Sequence, residues 1–286
     1  MVRVRMGLRL SAFALVAGIA LSATLAGQPL PLAPPRDAGQ SVTAAFEGWY
    51  QNPDGTYTLL VGYFNRNLKE TFDIPIGPNN RIEPGGPDYG QPTHFLPRRQ
   101  WGVFTIKVPK DFGDKRLTWT IVANGQTTAV PVGVIKGYQV EPFKEQAQGN
   151  EPPRIQFDAK SPALFGPPVG IAFTMTGATG QPVTLSATVT DGAANDPELS
   201  PIQLKQPPIA IVWSKYRGLG DVTFANARPT IEKDGKVTTT ATFSQPGEYV
   251  LRAQVNDRSG DGGGGFQCCW TNAHVKVTIT GNAPTK

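Results

Sequence analysis

Few residues of this chain are equipped for chemistry. Cys268 and Cys269 stand side by side in GGGGFQCCWTNAH, and they are the only two cysteines among 286 residues. In an oxidising compartment thiols pair. A bond between neighbours asks Cα atoms about 3.8 Å apart to make a link that normally spans about 4.4–6.8 Å. Such a bridge is strained and more easily reduced than an ordinary one. Oxidised, the pair forms a rigid apolar plate beside Trp270, or a redox-sensitive latch. The alternative is strand periodicity that sends Cys269 into the core and Cys268 to the surface, both reduced. Intermolecular pairing or a metal is the remaining option. Zinc is poorly served, because only His274 is nearby and four ligands are normally needed. No metal and no cofactor is expected.

Other candidate ligands are weaker. In DRSGDGGGGF, Asp257 and Asp261 with glycine carbonyls have the oxygens that Ca²⁺ prefers, and Asp191, Asn195 and Asp196 in TDGAANDPE invite the same idea. Neither spacing fits a loop template, and a mobile glycine-rich turn explains the first run as well. Gly262–Gly265 lacks the lysine and the helix of a phosphate loop.

The most informative stretch is GPNNRIEPGGPDYGQPTHFLPRRQWG, residues 77–102. It runs without clear alternation, and long irregular loops are usually functional or disordered. It gathers Arg81, Tyr89, His94, Arg98, Arg99 and Trp101 among many prolines. Arginine forks suit carboxylates, and aromatic faces suit sugars or proline-rich peptides. These six residues are the candidate ligand-binding set. The competing reading is a loop packed over its own sandwich, with Phe95 and Trp101 as plugs. Trp49 and Tyr50 would extend an aromatic surface, although Trp49 suits a core equally well. Trp119 shares a strand face with Leu117 and Ile121 and belongs in the core.

Catalysis has little support. No Gly-x-Ser-x-Gly, His-Glu-x-x-His or Cys-x-x-Cys occurs. His94 and His274 fall in different halves. Paired carboxylates of a glycosidase leave no compact signature, but the acids here sit mostly in turns or in a linker, as Asp54, Glu141, Glu145, Glu151 and Asp234 do. No catalytic residue is expected.

The elements that must position these groups are strands. Val183, Leu185, Ala187 and Val189 alternate with polar residues, as do Val237, Ala241 and Phe243, then Tyr249, Leu251, Ala253 and Val255, then Val275, Val277 and Ile279. Period two predicts sheets with one dry face and one wet face. Asp54-Gly55, Asn124-Gly125 and Asp234-Gly235 mark tight turns, because they tolerate positive φ. No amphipathic helix is evident. With 32 glycines and 27 prolines spread without a period, helix bundles and collagen are both disfavoured. The expected class is all-β, with antiparallel sandwiches.

Residues 1–26 have the three parts of a secretory signal peptide: Arg3, Arg5 and Arg9, then an apolar run, then small residues up to Ala26. An uncleaved anchor is the alternative. Losing those three arginines brings the formal charge of +5 down to near neutral, and no basic run is present, so nucleic acid is not an expected partner. Residues 27–41 read as a flexible lead-in. Polar EPFKEQAQGNEPPR breaks the alternation and reads as a linker at 141–152. The resulting division is 42–140 for one sandwich and 153–281 for a second.

FSQPGEYVLRAQVNDRSG, residues 243–260, resembles the penultimate-strand motif of immunoglobulin-like sandwiches, and among them the polycystic kidney disease-type repeats. Pro246, Gly247, Tyr249, Leu251, Ala253, Val255 and Asp257 match it. Trp213 would then be the central core tryptophan and AHVKVTIT the closing strand, a resemblance covering about residues 209–280. It implies an immunoglobulin-like fold, a tyrosine corner at Tyr249 and a spacer or recognition role outside the cell. The chain departs from those repeats after Trp213, where it reads Ser-Lys-Tyr-Arg-Gly-Leu-Gly, and no ligand site carries over. Residues 42–140 resemble no named family.

These readings converge on an exported, non-catalytic interaction or scaffold module of the cell envelope, periplasm or extracellular space. It would bind a protein partner through end loops such as 77–102 and 257–270, without stable membrane insertion once the leader is removed. The alternatives are a carbohydrate-binding module stacking envelope polysaccharide on Trp101, Tyr89 and Trp49, and, less well supported, a hydrolase of that polysaccharide.

Overall fold

The computed structural model describes residues 36–141, 143, 149–192, 205–259 and 268–281. The leader, most of the lead-in and the glycine-rich run 260–267 lie outside the described residues. No α-helix occurs among the described residues; the chain is built of strands. In the N-terminal half these are β1 (Val42–Gln51), β2 (Tyr57–Asn65), β3 (Phe72–Asp73), β4 (Asn80–Glu83), β5 (His94–Phe95), β6 (Arg98–Val108), β7 (Leu117–Ala123) and β8 (Gln126–Val132). In the C-terminal half they are β9 (Arg154–Gln156), β10 (Ile171–Ala178), β11 (Val183–Thr190), β12 (Ile209–Arg217), β13 (Val222–Phe224), β14 (Lys236–Phe243), β15 (Gly247–Asp257) and β16 (Trp270–Thr280).

The N-terminal half packs sheet β1-β2-β6 against sheet β4-β7-β8, with a two-stranded ribbon β3-β5 beside them. Leu59, Val61 and Tyr63 alternate along β2 into a core shared with Ile82, Trp119 and Ile121. Trp119 is fully buried and donates its indole N–H to Asn80 Oδ1 at 2.9 Å, which removes the cost of burying that polar atom. Asn124 and Gly125, at φ of 48° and 71°, form the two-residue turn that joins β7 to β8.

The C-terminal half packs β10-β16-β15-β12 against β13-β14-β11-β9. With β10 set aside as an added strand, this is the immunoglobulin arrangement, in which the first, second, fifth and fourth strands face the third, sixth and seventh. Trp213 is buried on the third of them, β12. Tyr249, near the start of β15, donates its hydroxyl to the Gln245 carbonyl at 2.8 Å, as a tyrosine corner does. All four alternating runs are strands: β11, β14, β15 and β16. Pairing is antiparallel except between β10 and β16, which run parallel. The chain leaves β9 in one sheet, passes through Pro162, Pro167, Pro168 and Gly170, and enters the opposite sheet alongside the final strand.

Three segments differ from expectation. The 77–102 loop is broken into strands: β4 pairs with β7, β5 with β3, and β6 begins at Arg98. It shows no alternation because three short elements serve three different sheets. The flexible lead-in is tied down from Arg36 onward, where Asn67 Oδ1 accepts from the Gln40 N–H at 2.7 Å and Leu68 N–H donates to the Arg36 carbonyl at 2.9 Å. In the polar linker, Phe143 and Asn150 are buried. Phe143 joins Leu60 and Trp270 in a small third apolar cluster, and residues Arg36–Lys286 form one unit.

Candidate functional site

The outer face of β1-β2-β6 meets the outer face of β10-β16-β15-β12, and two bulges shape this junction. In β1, Phe46 pairs with Val61 and Gly48 with Leu60, so Glu47 is an extra residue. In β6, Phe104 pairs with Val61 and Gln100 with Tyr63, so Trp101–Val103 stand opposite Gly62 alone. Bulges re-aim side chains, and here both aim at Gly62. A Cβ there would collide with the Glu47 carboxylate and the Gln100 carbonyl. Gly102 has φ of +48°, and a Cβ on it would run into the ring of Trp270.

Glu47 is therefore held under the sheet face. Its carboxylate pairs with Arg99 Nη2 at 2.7 Å and accepts the Gly102 N–H at 2.7 Å. Burial pushes its pKa up to about 7, against the pull of Arg99, the Gly102 amide and Arg252. From the C-terminal half, Arg252 is only 2% exposed. Its Nε donates to Asn272 Oδ1 and its Nη1 to Gln100 Oε1, each at 2.7 Å. Asn272 Nδ2 donates in turn to the carbonyls of Trp101 and Gly102 at 3.1 and 3.0 Å. His274 lies against Tyr216, ring centroids 4.1 Å apart. Burial, and next the charge of Arg252, push its pKa down to about 3, so it is neutral. Burial likewise pushes the phenols of Tyr63 and Tyr216 up.

Beside this junction a groove of about 410 Å³ opens between β6 and the outer face of β12 and β15. Val212, Ser214, Gln254 and Asn256 form its floor, and Leu96, Trp101 and Pro207 stand in its walls. Arg99, Arg228 and Asp257 are its charged lining. Asp257 is buried and already engaged, accepting from Asn150 Nδ2 at 2.7 Å and from the Ser259 N–H at 2.8 Å. Arg99 spreads over the Trp101 ring at 3.9 Å. Its Nη1 donates to the carbonyls of Tyr63 and Gln100, and its Nη2 lies 2.7 Å from Glu47 Oε1 in an ion pair. A guanidinium has five N–H donors, and among the described residues the Arg99 Nε–H makes no hydrogen bond. The exposed Arg228 side chain has no partner among the described residues.

Of the six candidate ligand-binding residues, the structure brings Arg99 and Trp101 together in this groove. Arg81, on β4, pairs with Glu83 at 2.7 Å. Tyr89 packs on the N-terminal core and donates its hydroxyl to the Pro84 carbonyl at 2.6 Å. His94 is 3.0 Å from Asp73, which also pairs with Lys215 at 2.9 Å. Burial lowers the pKa of His94; Asp73 is lowered too, because its bonds to Lys215 and His94 outweigh its own desolvation. Arg98 is exposed with φ of 68°. Trp49 is edge-on to Tyr57 and donates its indole N–H to the Ile135 carbonyl at 2.8 Å. Trp101, Tyr89 and Trp49 thus serve three separate settings.

Sequence reasoning missed Glu47, Arg252 and Asn272. A signal was present for Glu47: an acid followed by glycine in the middle of an otherwise apolar strand. Cys268 and Cys269 are both buried, their sulfurs in bonding contact, with Cys268 Sγ 3.4 Å from the Asn150 carbonyl. The expectation that a reduced Cys268 faces solvent is not met. Among the described residues no group of three or more His, Cys, Asp or Glu side chains is placed to hold a metal. Asp261, Asn195 and Asp196 lie outside the described residues.

No protein-family model matches the chain, and no curated protein does. Among solved structures, the D00-D0 domain of intimin is similar at 13% identity and a TM-score of 0.27, covering 84% of this chain and 100% of that one. The S-layer protein SbsC, domains 4 and 5, is similar at 14% identity and a TM-score of 0.24, covering 84% and 98%. WR4, a C. elegans MSP family member, gives 10% identity and a TM-score of 0.24, covering 37% and 92%. Likeness at this level carries no functional argument. The fold assignment rests on the sheet order, Trp213 and Tyr249.

Proposed function

We propose that the chain is an exported, non-catalytic interaction module of the cell envelope or extracellular space, and that a protein partner seats in the junction groove. The observation that carries this reading is the groove's lining. Among the described residues its one carboxylate, Asp257, is buried and hydrogen-bonded, so no pair of acids is supplied there by them. Trp101 already has Arg99 over its ring and stands apart from Tyr89 and Trp49, which speaks against a sugar-stacking platform. At the β10 edge of the same sheet, away from the groove, Phe165, Val169 and Ile171 form an exposed apolar patch, Val169 being 85% accessible, of the kind that marks protein contact. No helix of the described residues is long and apolar enough to cross a membrane. The export step rests on the leader-like residues 1–26, the vicinal disulfide on the buried, touching sulfurs, and the polycystic kidney disease-type affinity on the 243–260 motif.

Sedimentation of purified mature protein with cell envelope tests the reading. Pelleting with untreated envelope and not with protease-stripped envelope is expected. Pelleting with both would move the assignment to a polysaccharide ligand, and pelleting with neither would remove an envelope role. Intact mass before and after reduction tests the cysteine pair. A gain of two hydrogens is expected, and an unchanged mass would overturn the bond.

A further inference from the structure

The groove and Glu47 together suggest what part of a partner is recognised. We propose that the groove is a carboxylate site: an extended acidic segment lies along the outer face of β12 and β15 with a side-chain carboxylate reached by Arg99 and Arg228, and Glu47 takes up a proton as it binds. This rests on the groove being the partner site.

Arg99 stands between two regions. Its Nη2 is ion-paired with Glu47 at 2.7 Å, while its Nε–H makes no hydrogen bond among the described residues. Its stacking on Trp101 fixes the plane of the fork at the groove wall. The other groove cation, Arg228, has no competing partner among the described residues, and the groove's own acid, Asp257, is turned to Asn150 and Ser259. Gln254 and Asn256 lie on the groove floor. A second carboxylate arriving at Arg99 would share one guanidinium with Glu47. Like charges disfavour each other's ionised form, so Glu47, buried and unable to recruit water, is the one to be neutralised. The proton comes from solvent and the ligand stays ionised.

The other groups around Glu47 do not titrate over the same range. Arg99, Arg252 and Arg217 stay cationic. His274 is neutral, and burial keeps Tyr63 and Tyr216 protonated. With Glu47 near 7, the competent, neutral form falls about tenfold between pH 6 and pH 8, and apparent affinity falls with it.

The probes are oligo-glutamate and oligo-glutamine peptides with blocked termini, titrated into the full mature chain while the Trp101 indole resonance is followed by NMR. Oligo-glutamate is expected to bind and to tighten about tenfold from pH 8 to pH 6, with net proton uptake when calorimetry is repeated in buffers of different ionisation heat. Glu47→Gln should bind at the tighter level with no pH dependence over that range. Should that variant not fold, Arg228→Ala, at an exposed position, should weaken oligo-glutamate binding several-fold. Equal binding of both peptides, or a flat pH profile in the unaltered protein, overturns the proposal. If Arg228→Ala abolishes envelope pelleting while oligo-glutamate does not bind, the partner groove stands and the carboxylate falls. If Arg228→Ala and Arg99→Ala both pellet normally, the groove itself is the wrong site.

Discussion

The two outer faces of the C-terminal sandwich carry the same alternating pattern and meet different fates. On β11 and β14, Thr184, Ser186 and Thr238 face solvent. On β15 and β16, the equivalent outward residues Arg252, Asn272 and His274 are buried under the N-terminal half. Alternation reports which residues share a face. It does not report what covers that face. The difference lies in the side chains: on the covered face Arg252 and Asn272 bond each other and the N-terminal half, whereas the open face carries short hydroxyls that water serves.

The contrast is broken most sharply at Arg252. Arg252→Met keeps the stem but strands Gln100 Oε1 and Asn272 Oδ1 in a dry junction. It should cost about 3 kcal/mol or more, read from the urea midpoint. Next comes pH. Glu47, raised from 4.5 to about 7, gives stability that is full below about pH 4.5 and is lost as pH rises through 7, about 3 kcal/mol in all. His274, lowered from 6.5 to about 3, works in the opposite sense, its contribution being full above about pH 6.5 and lost as pH falls. Glu47→Gln should therefore gain on the unaltered protein at pH 8 relative to pH 5, and His274→Asn should flatten the acid limb of the stability profile. An unchanged profile in both variants would mean the junction is wet. Gly102→Ala should cost about 2 kcal/mol, because it meets the Trp270 ring from a left-handed backbone position. Ser186→Ala, on the open face, should stay within about 0.5 kcal/mol by thermal melt. A loss there comparable to that of Arg252→Met would erase the distinction.

Much of the fold was legible because it is local. The four alternating runs, the Asn124-Gly125 turn, Trp119 and Trp213 in cores and the Tyr249 corner each declare themselves within a dozen residues. The groove was half legible: Arg99 and Trp101 were singled out, but with four neighbours in sequence that the strands β4, β5 and β6 distribute to other settings. Glu47, Arg252 and Asn272 escaped notice because their roles depend on contacts across 20 to 171 residues of chain, such as the Asn272–Trp101 bond with its separation of 171. The parallel β10–β16 pair escaped for the same reason, since no local pattern distinguishes a strand that joins its own sheet from one that crosses to the other.

The polar junction also has a thermodynamic meaning beyond its hydrogen bonds. Arg252, Gln100, Asn272 and Trp101 form the sort of surface that, between separate molecules, yields weak and reversible association. Here one chain carries both sides, so each sees the other at an effective concentration set by the connecting segment, millimolar for a short flexible link. Apolar packing adds to the contact, with Tyr216 in the N-terminal core and Leu60, Phe143 and Trp270 clustered across the halves. Cutting the chain between Val132 and Arg154 would remove that effective concentration and leave the junction to hold by its own contacts.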